Sequence, residues 1–112
     1  MCTKTQLQRV TGDIVREYQK VYGDSIEGIY LFGSYARHEE TDQSDIDIVA
    51  IVQGERSELQ NQLKVIWDKA ADIGLENDVV VSPTVIPYDE FLQYKETLPY
   101  YKNISREGVK IG

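Results

Sequence analysis

Two apolar runs, Ile29-Tyr30-Leu31-Phe32 and Ile46-Asp47-Ile48-Val49-Ala50-Ile51-Val52, flank a short polar stretch that opens with Gly33-Ser34 and closes, ten residues later, with Asp45-x-Asp47. This arrangement constrains the fold more than anything else in the chain. Alternation along a strand puts Asp45 and Asp47 on one face with Cβ atoms roughly 6 to 7 Å apart, while Ile46 and Ile48 point into a core. Val49 and Ile51 share the aspartate face, so that face is expected to be mostly buried and the strand to be central.

Two carboxylates on one rigid face can hold one or two Mg²⁺ ions, hard cations that take oxygen ligands and share their shell with nucleotide phosphates. Without a cation their like charges repel. Gly33-Ser34 reads as a strand turning directly into a helical turn, Ser34–His38. Glycine lets backbone approach a phosphate closely, and Ser34 at a helix N-terminus favours an anion. Arg37 lies on the same helical face and could neutralise phosphate charge. By composition, the full pattern arises by chance on the order of once in a thousand chains of this length. The plainer alternative is an ordinary turn at Gly33-Ser34 and a wet sheet face at Asp47.

The segment resembles the signature of the polymerase-β-like nucleotidyltransferase superfamily, and the short chain is most similar to its minimal nucleotidyltransferase (MNT) branch, found beside HEPN-domain proteins in prokaryotic toxin–antitoxin pairs. Its closing pattern Asn103-Ile104-x-Arg106-Glu107-Gly108-Val109 is a less specific part of that likeness. His38 stands where many relatives have glycine. The resemblance implies an α/β (α+β) fold, a small mixed sheet with helices packed on it. It implies Mg²⁺-dependent transfer of AMP from ATP to a hydroxyl, the acceptor being a tyrosine of a HEPN ribonuclease toxin. Asp45 and Asp47 would be catalytic metal ligands, and Gly33, Ser34 and Arg37 would bind the nucleotide. Such enzymes usually carry a third carboxylate on a neighbouring strand, and Asp78, expected to open the third strand, is the candidate catalytic and metal-binding residue; a polar turn at Glu76-Asn77-Asp78 is the other reading. Two rival functions remain: an antitoxin that neutralises by binding without catalysis, and a transferase acting on a small molecule such as an antibiotic.

The 112 residues are expected to form a single domain, 1–112, with one core. With 41% hydrophobic and 28% charged residues the composition is that of a globular protein, and no apolar stretch approaches the roughly 20 residues that span a bilayer. MCTKTQLQRV lacks the apolar core of a signal peptide, so a cytoplasmic location is expected, in keeping with Cys2 as the only cysteine. A net charge of −7 argues against direct binding of nucleic acid. It suits a basic protein partner, or simply solubility. A small sheet offers only one wall of a cleft, so another copy or a partner is expected to enclose the nucleotide.

Helical spacing of Leu7, Val10, Ile14, Tyr18 and Val21 predicts a first helix that Gly23 stops. Strands are expected over Ile26–Phe32, Asp45–Val52 and Val79–Ile86, the last interrupted by Pro83 and therefore at an edge or bulged. Between the second and third strands, Ser57-Glu58-Leu59-Gln60 matches a capping box, and Leu59, Leu63, Ile66, Ala70 and Ile73 give a helix reaching Gly74. A polar loop, Glu39–Gln43, follows the helical turn. A last helix is expected over Tyr88–Thr97, with the helices on one side of the sheet. Tyr88, Tyr94, Tyr100 and Tyr101 cluster near the C-terminus, as an interface or as packing.

Overall fold

The computed structural model describes residues 3–33 and 45–112. The expected helical turn over Ser34–His38, the loop over Glu39–Gln43, and with them Ser34, Arg37 and His38, lie outside the described residues. Along the rest of the chain run α1 (Lys4–Tyr22), a 3₁₀ turn (Gly23–Ser25), β1 (Ile26–Phe32), β2 (Ile46–Val52), α2 (Arg56–Asn77), β3 (Val81–Pro87), α3 (Tyr88–Tyr94), α4 (Pro99–Glu107) and β4 (Val109–Lys110). The sheet has the order β3-β2-β1-β4. β2 runs antiparallel to β1 and parallel to β3, and the short β4 closes the other edge antiparallel to β1. This is the mixed α+β architecture expected from the sequence.

Helix α1 starts at a capping box in which Thr3 accepts from the Gln6 N–H, and stops at Gly23, whose φ of 57° favours glycine. Its stripe of Val10, Ile14 and Tyr18 is fully buried. It packs with Leu59, Leu63, Ile66 and Ala70 of α2 over Ile29, Leu31, Ile46, Ile48, Ala50 and Val52 of the sheet. Each Val, Leu or Ile side chain among them contributes about 1.5–3 kcal/mol on burial, which makes this the principal core.

The helices do not all lie on one side. A smaller cluster of Val49, Ile86, Tyr101 and Ile104, with Tyr30, Phe32, Phe91 and Tyr94 packed on it, puts α3 and α4 on the opposite face. Alternation requires this, because Val49 and Ile51 on the aspartate face are apolar and need a cover of their own.

Other expectations also change. The Ser57 capping box does not form: Glu55 is the N-cap, and the Ser57 hydroxyl donates to Glu55 Oε1 at 2.8 Å. Gly74 does not end α2. A Cβ there would lie 2.6 Å from the Val79 carbonyl oxygen, so the glycine serves the close return of the chain, and the helix ends when Asp78 takes the left-handed conformation (φ 54°). Asp78 therefore precedes the third strand instead of opening it. β3 is an edge strand, consistent with Pro83, and pairs with β2 in unbroken register. The helix α4 and strand β4 were not expected. Pro99 at the first turn of α4 begins a helix instead of merely closing the previous one.

Candidate active site

The aspartates sit where β2 begins. Asp45 is exposed just before the strand; Asp47, its second residue, is partly buried. Phe32 and Asp47 are directly opposed across the β1–β2 pair, and Asp47 is level with Ser82 of β3. Opposed residues of paired strands project to the same face. Asp47 thus stands between Phe32 on one side and Ser82 on the other, with Val49 and Thr84 one step further along.

Gly33 follows Phe32 with φ 78°, and a Cβ built on it would meet Asp47 Oδ2 at 2.6 Å. Any other residue there would push the carboxylate aside. The strand end therefore lays bare backbone against the acidic pair, as a phosphate-holding turn requires. Burial, and then the charge of Asp45, raise the carboxyl of Asp47 above its usual range. A donor set with two crowded carboxylates, one of them partly desolvated, fits a divalent cation, which would relieve both penalties.

Asp78 is not brought to this pair. It caps α2 from an exposed position, and among the described residues no three His, Cys, Asp or Glu side chains gather as a metal-holding group. The β3 positions paired with Asp47 and Val49 carry hydroxyls, Ser82 and Thr84.

The sequence reading missed a third wall. Tyr100 of α4 sets its ring edge-on to Phe32, with centroids 5.6 Å apart and planes at 86°. Its hydroxyl reaches the Thr84 side chain. Burial raises the Tyr100 phenol, the Thr84 hydrogen bond lowers it, and the charge of Asp47 raises it. Tyr100 therefore lies across β2, its ring on β1 and its hydroxyl over β3. Tyr101 does something different: it is buried, and its hydroxyl accepts from Arg56 at 3.1 Å while Arg56 also pairs with Glu90. Cross-strand register places Thr84 on the Asp47 face and the packing of α4 on Phe32 brings Tyr100 there, and no local pattern in the sequence carries either.

A family model described as Polymerase beta, Nucleotidyltransferase matches residues 14–86, from α1 through β3 and across the acidic pair. The chain belongs to this nucleotidyltransferase family. Among curated relatives from Methanocaldococcus jannaschii, the candidate protein adenylyltransferase MJ0141 is 28% identical over 105 residues, covering 88% of this chain and 96% of its own. A second protein so named, MJ0128, is 35% identical over 78 residues, covering 65% of this chain and 76% of its own. In fold, the nucleotidyltransferase resembles a crystal structure of a toxin-antitoxin with AMP-PNP, with TM-score 0.54, 16% identity and coverage of 89% and 70%. It also resembles a candidate nucleotidyltransferase from Sulfolobus solfataricus, with TM-score 0.53, 20% identity and coverage of 96% and 82%. The family identification from Gly33-Ser34 and Asp45-x-Asp47 stands.

Proposed function

We propose that this nucleotidyltransferase moves AMP from ATP onto a tyrosine hydroxyl of a HEPN-type toxin and so acts as its antitoxin. The observation that carries the reading is the Asp45/Asp47 pair at the start of a buried strand, with Gly33 backbone packed against Asp47. The names of the relatives support a protein acceptor, and the likeness to a toxin-antitoxin structure supports the kind of partner.

Asp45 and Asp47 would hold Mg²⁺, which when bound supplies charge neutralisation at the α-phosphorus and at the leaving pyrophosphate. Gly33 and Ser34 would offer backbone N–H groups to the outer phosphates, and Arg37 would balance their charge. Pyrophosphate would leave in line with the incoming acceptor oxygen. The two-carboxylate set is sufficient for this reading and leaves Asp78 outside it.

Intact-mass spectrometry of the partner after incubation with ATP and Mg²⁺ tests the proposal. Additions of about 329 Da each, the mass of an adenylyl group, are expected with the parent and none with Asp45→Asn. A partner neutralised equally by both proteins with unchanged mass would establish the binding-only reading instead. Calorimetric titration with ATP is expected to give binding with Mg²⁺ and far weaker binding in EDTA, where phosphates and carboxylates repel.

A further inference from the structure

Tyr100 stands over the candidate site, its ring edge-on to Phe32, which pairs across the strands with Asp47. With the phosphates at Gly33, at the end of β1, as proposed above, the in-line nucleophile would come from the far side of Asp47, and Tyr100, whose ring packs on Phe32 opposite Asp47, is the α4 tyrosine beside that carboxylate. The ring is fixed by its edge-on contact with Phe32, and Phe32 is itself locked opposite Asp47. Such a side chain loses little freedom in reaching a reactive geometry. It is also accessible, with 44% of its surface exposed.

From this geometry we propose that Tyr100 is a self-modification site: the enzyme adenylylates its own Tyr100. The inference rests on the AMP-transfer reading above. In the step, the Tyr100 phenolic oxygen forms a bond to the α-phosphorus of ATP, the bond from that phosphorus to the bridging oxygen of the β-phosphate breaks, pyrophosphate departs, and the phenolic proton passes to solvent. The Thr84 hydroxyl, which donates to the Ile48 carbonyl at 3.2 Å, lies on the same face of the sheet as Asp47. The product is a phosphodiester on α4 that fills the acceptor side, so a modified chain is blocked toward any other acceptor. Tyr101, one residue on, is turned into the α4 packing and bonded to Arg56, and stays unmodified.

The test is to incubate the full chain alone with ATP and Mg²⁺, weigh it intact and map the adduct by peptide fragmentation. A single addition of about 329 Da on Tyr100 is expected, absent from Asp45→Asn and from Tyr100→Phe. Tyr100→Phe keeps the ring on Phe32, so it should fold as the parent does, with a melting temperature to match. A chain that binds Mg²⁺·ATP and modifies a partner yet keeps its own mass would overturn this inference and leave the proposed function standing. An adduct on another residue, or on Tyr100→Phe, would overturn it equally. Absence of Mg²⁺·ATP binding would bring down both.

Discussion

Single residues at the site trade stability for chemistry. Asp47 carries a carboxyl raised by burial and by Asp45, so the folded state prefers it neutral. Its contribution to stability is full below the ordinary carboxylate pKa and is lost as pH rises through the raised value. At neutral pH and without metal, Asp47→Asn removes that cost, and its melting temperature should be no lower than the parent's, while AMP transfer falls to background. A variant that unfolds would make Asp47 a structural residue. Gly33→Ala is the opposite case. Its Cβ would need a positive φ and would strike Asp47 Oδ2, so the variant should lose stability by about 1 kcal/mol or more and lose Mg²⁺·ATP binding, readable by denaturant midpoint and calorimetry. At Asp78 the left-handed backbone is strained for any side chain, and the carboxylate is exposed. Asp78→Gly should therefore raise the melting temperature slightly and leave transfer intact; loss of activity with an intact fold would restore Asp78 to the site.

At the level of elements, what the sequence disclosed is what local chemistry decides. β1 came out residue for residue, because Gly33 ends an apolar run. α1 came out in its buried stripe and its stop at Gly23, though not in its start at the Thr3 cap, because a 3.6-residue stripe runs into Gly23. The places of Gly33 at the end of β1 and of Asp45 and Asp47 at the head of β2 were legible for the same reason, since each lies at the end of an apolar run. The end of α2 was not, since Gly74 looks like a stop signal and its real role, admitting the Val79 carbonyl, depends on a chain segment returning from outside the helix. α4 was hidden behind Pro99, which reads equally as an end and as a beginning. The side of the sheet each helix takes, and with it the place of Tyr100, is a matter of register and packing that no stretch of sequence contains. Between elements, Tyr22 of α1 donates to the Leu59 carbonyl of α2 at 2.7 Å, and burial pushes its phenol up to about 12. Its share of stability is present below pH 10 or so and is lost as pH rises toward 12. Tyr22→Phe should lower the urea-derived stability by about 0.5–1.5 kcal/mol at neutral pH. It should also show a shallower alkaline decline than the parent, the remainder being carried by Tyr18, Tyr100 and Tyr101, whose phenols burial also raises.

In the molecule as a whole, the two faces of the sheet are unequal, and the site lies on the weaker one. α1 and α2 close a long core against β1, β2 and β3, whereas α4 is held chiefly by Tyr101 and Ile104 on Val49 and Ile86. Stability is distributed accordingly, with thinly packed layers opening at lower free energy than the strands beneath them. Hydrogen exchange should therefore release the α4 amides through a sub-global opening while the β2 amides of Ile48 to Ala50 wait for global unfolding. Because Tyr100 bridges α4 to Phe32 and Thr84 beside the acidic pair, a ligand gathered there favours the closed layer. Adding Mg²⁺·ATP should slow exchange in α4 well beyond any change in α1. Truncating Ile104 to Ala should cost about 2–5 kcal/mol and speed α4 exchange selectively, weakening nucleotide protection without unfolding the α1–α2 side. Exchange in α4 that already matches β2 in the free protein, or that ignores the nucleotide, would mean the layer is a fixed part of the core and that Tyr100 stands over the site without responding to it.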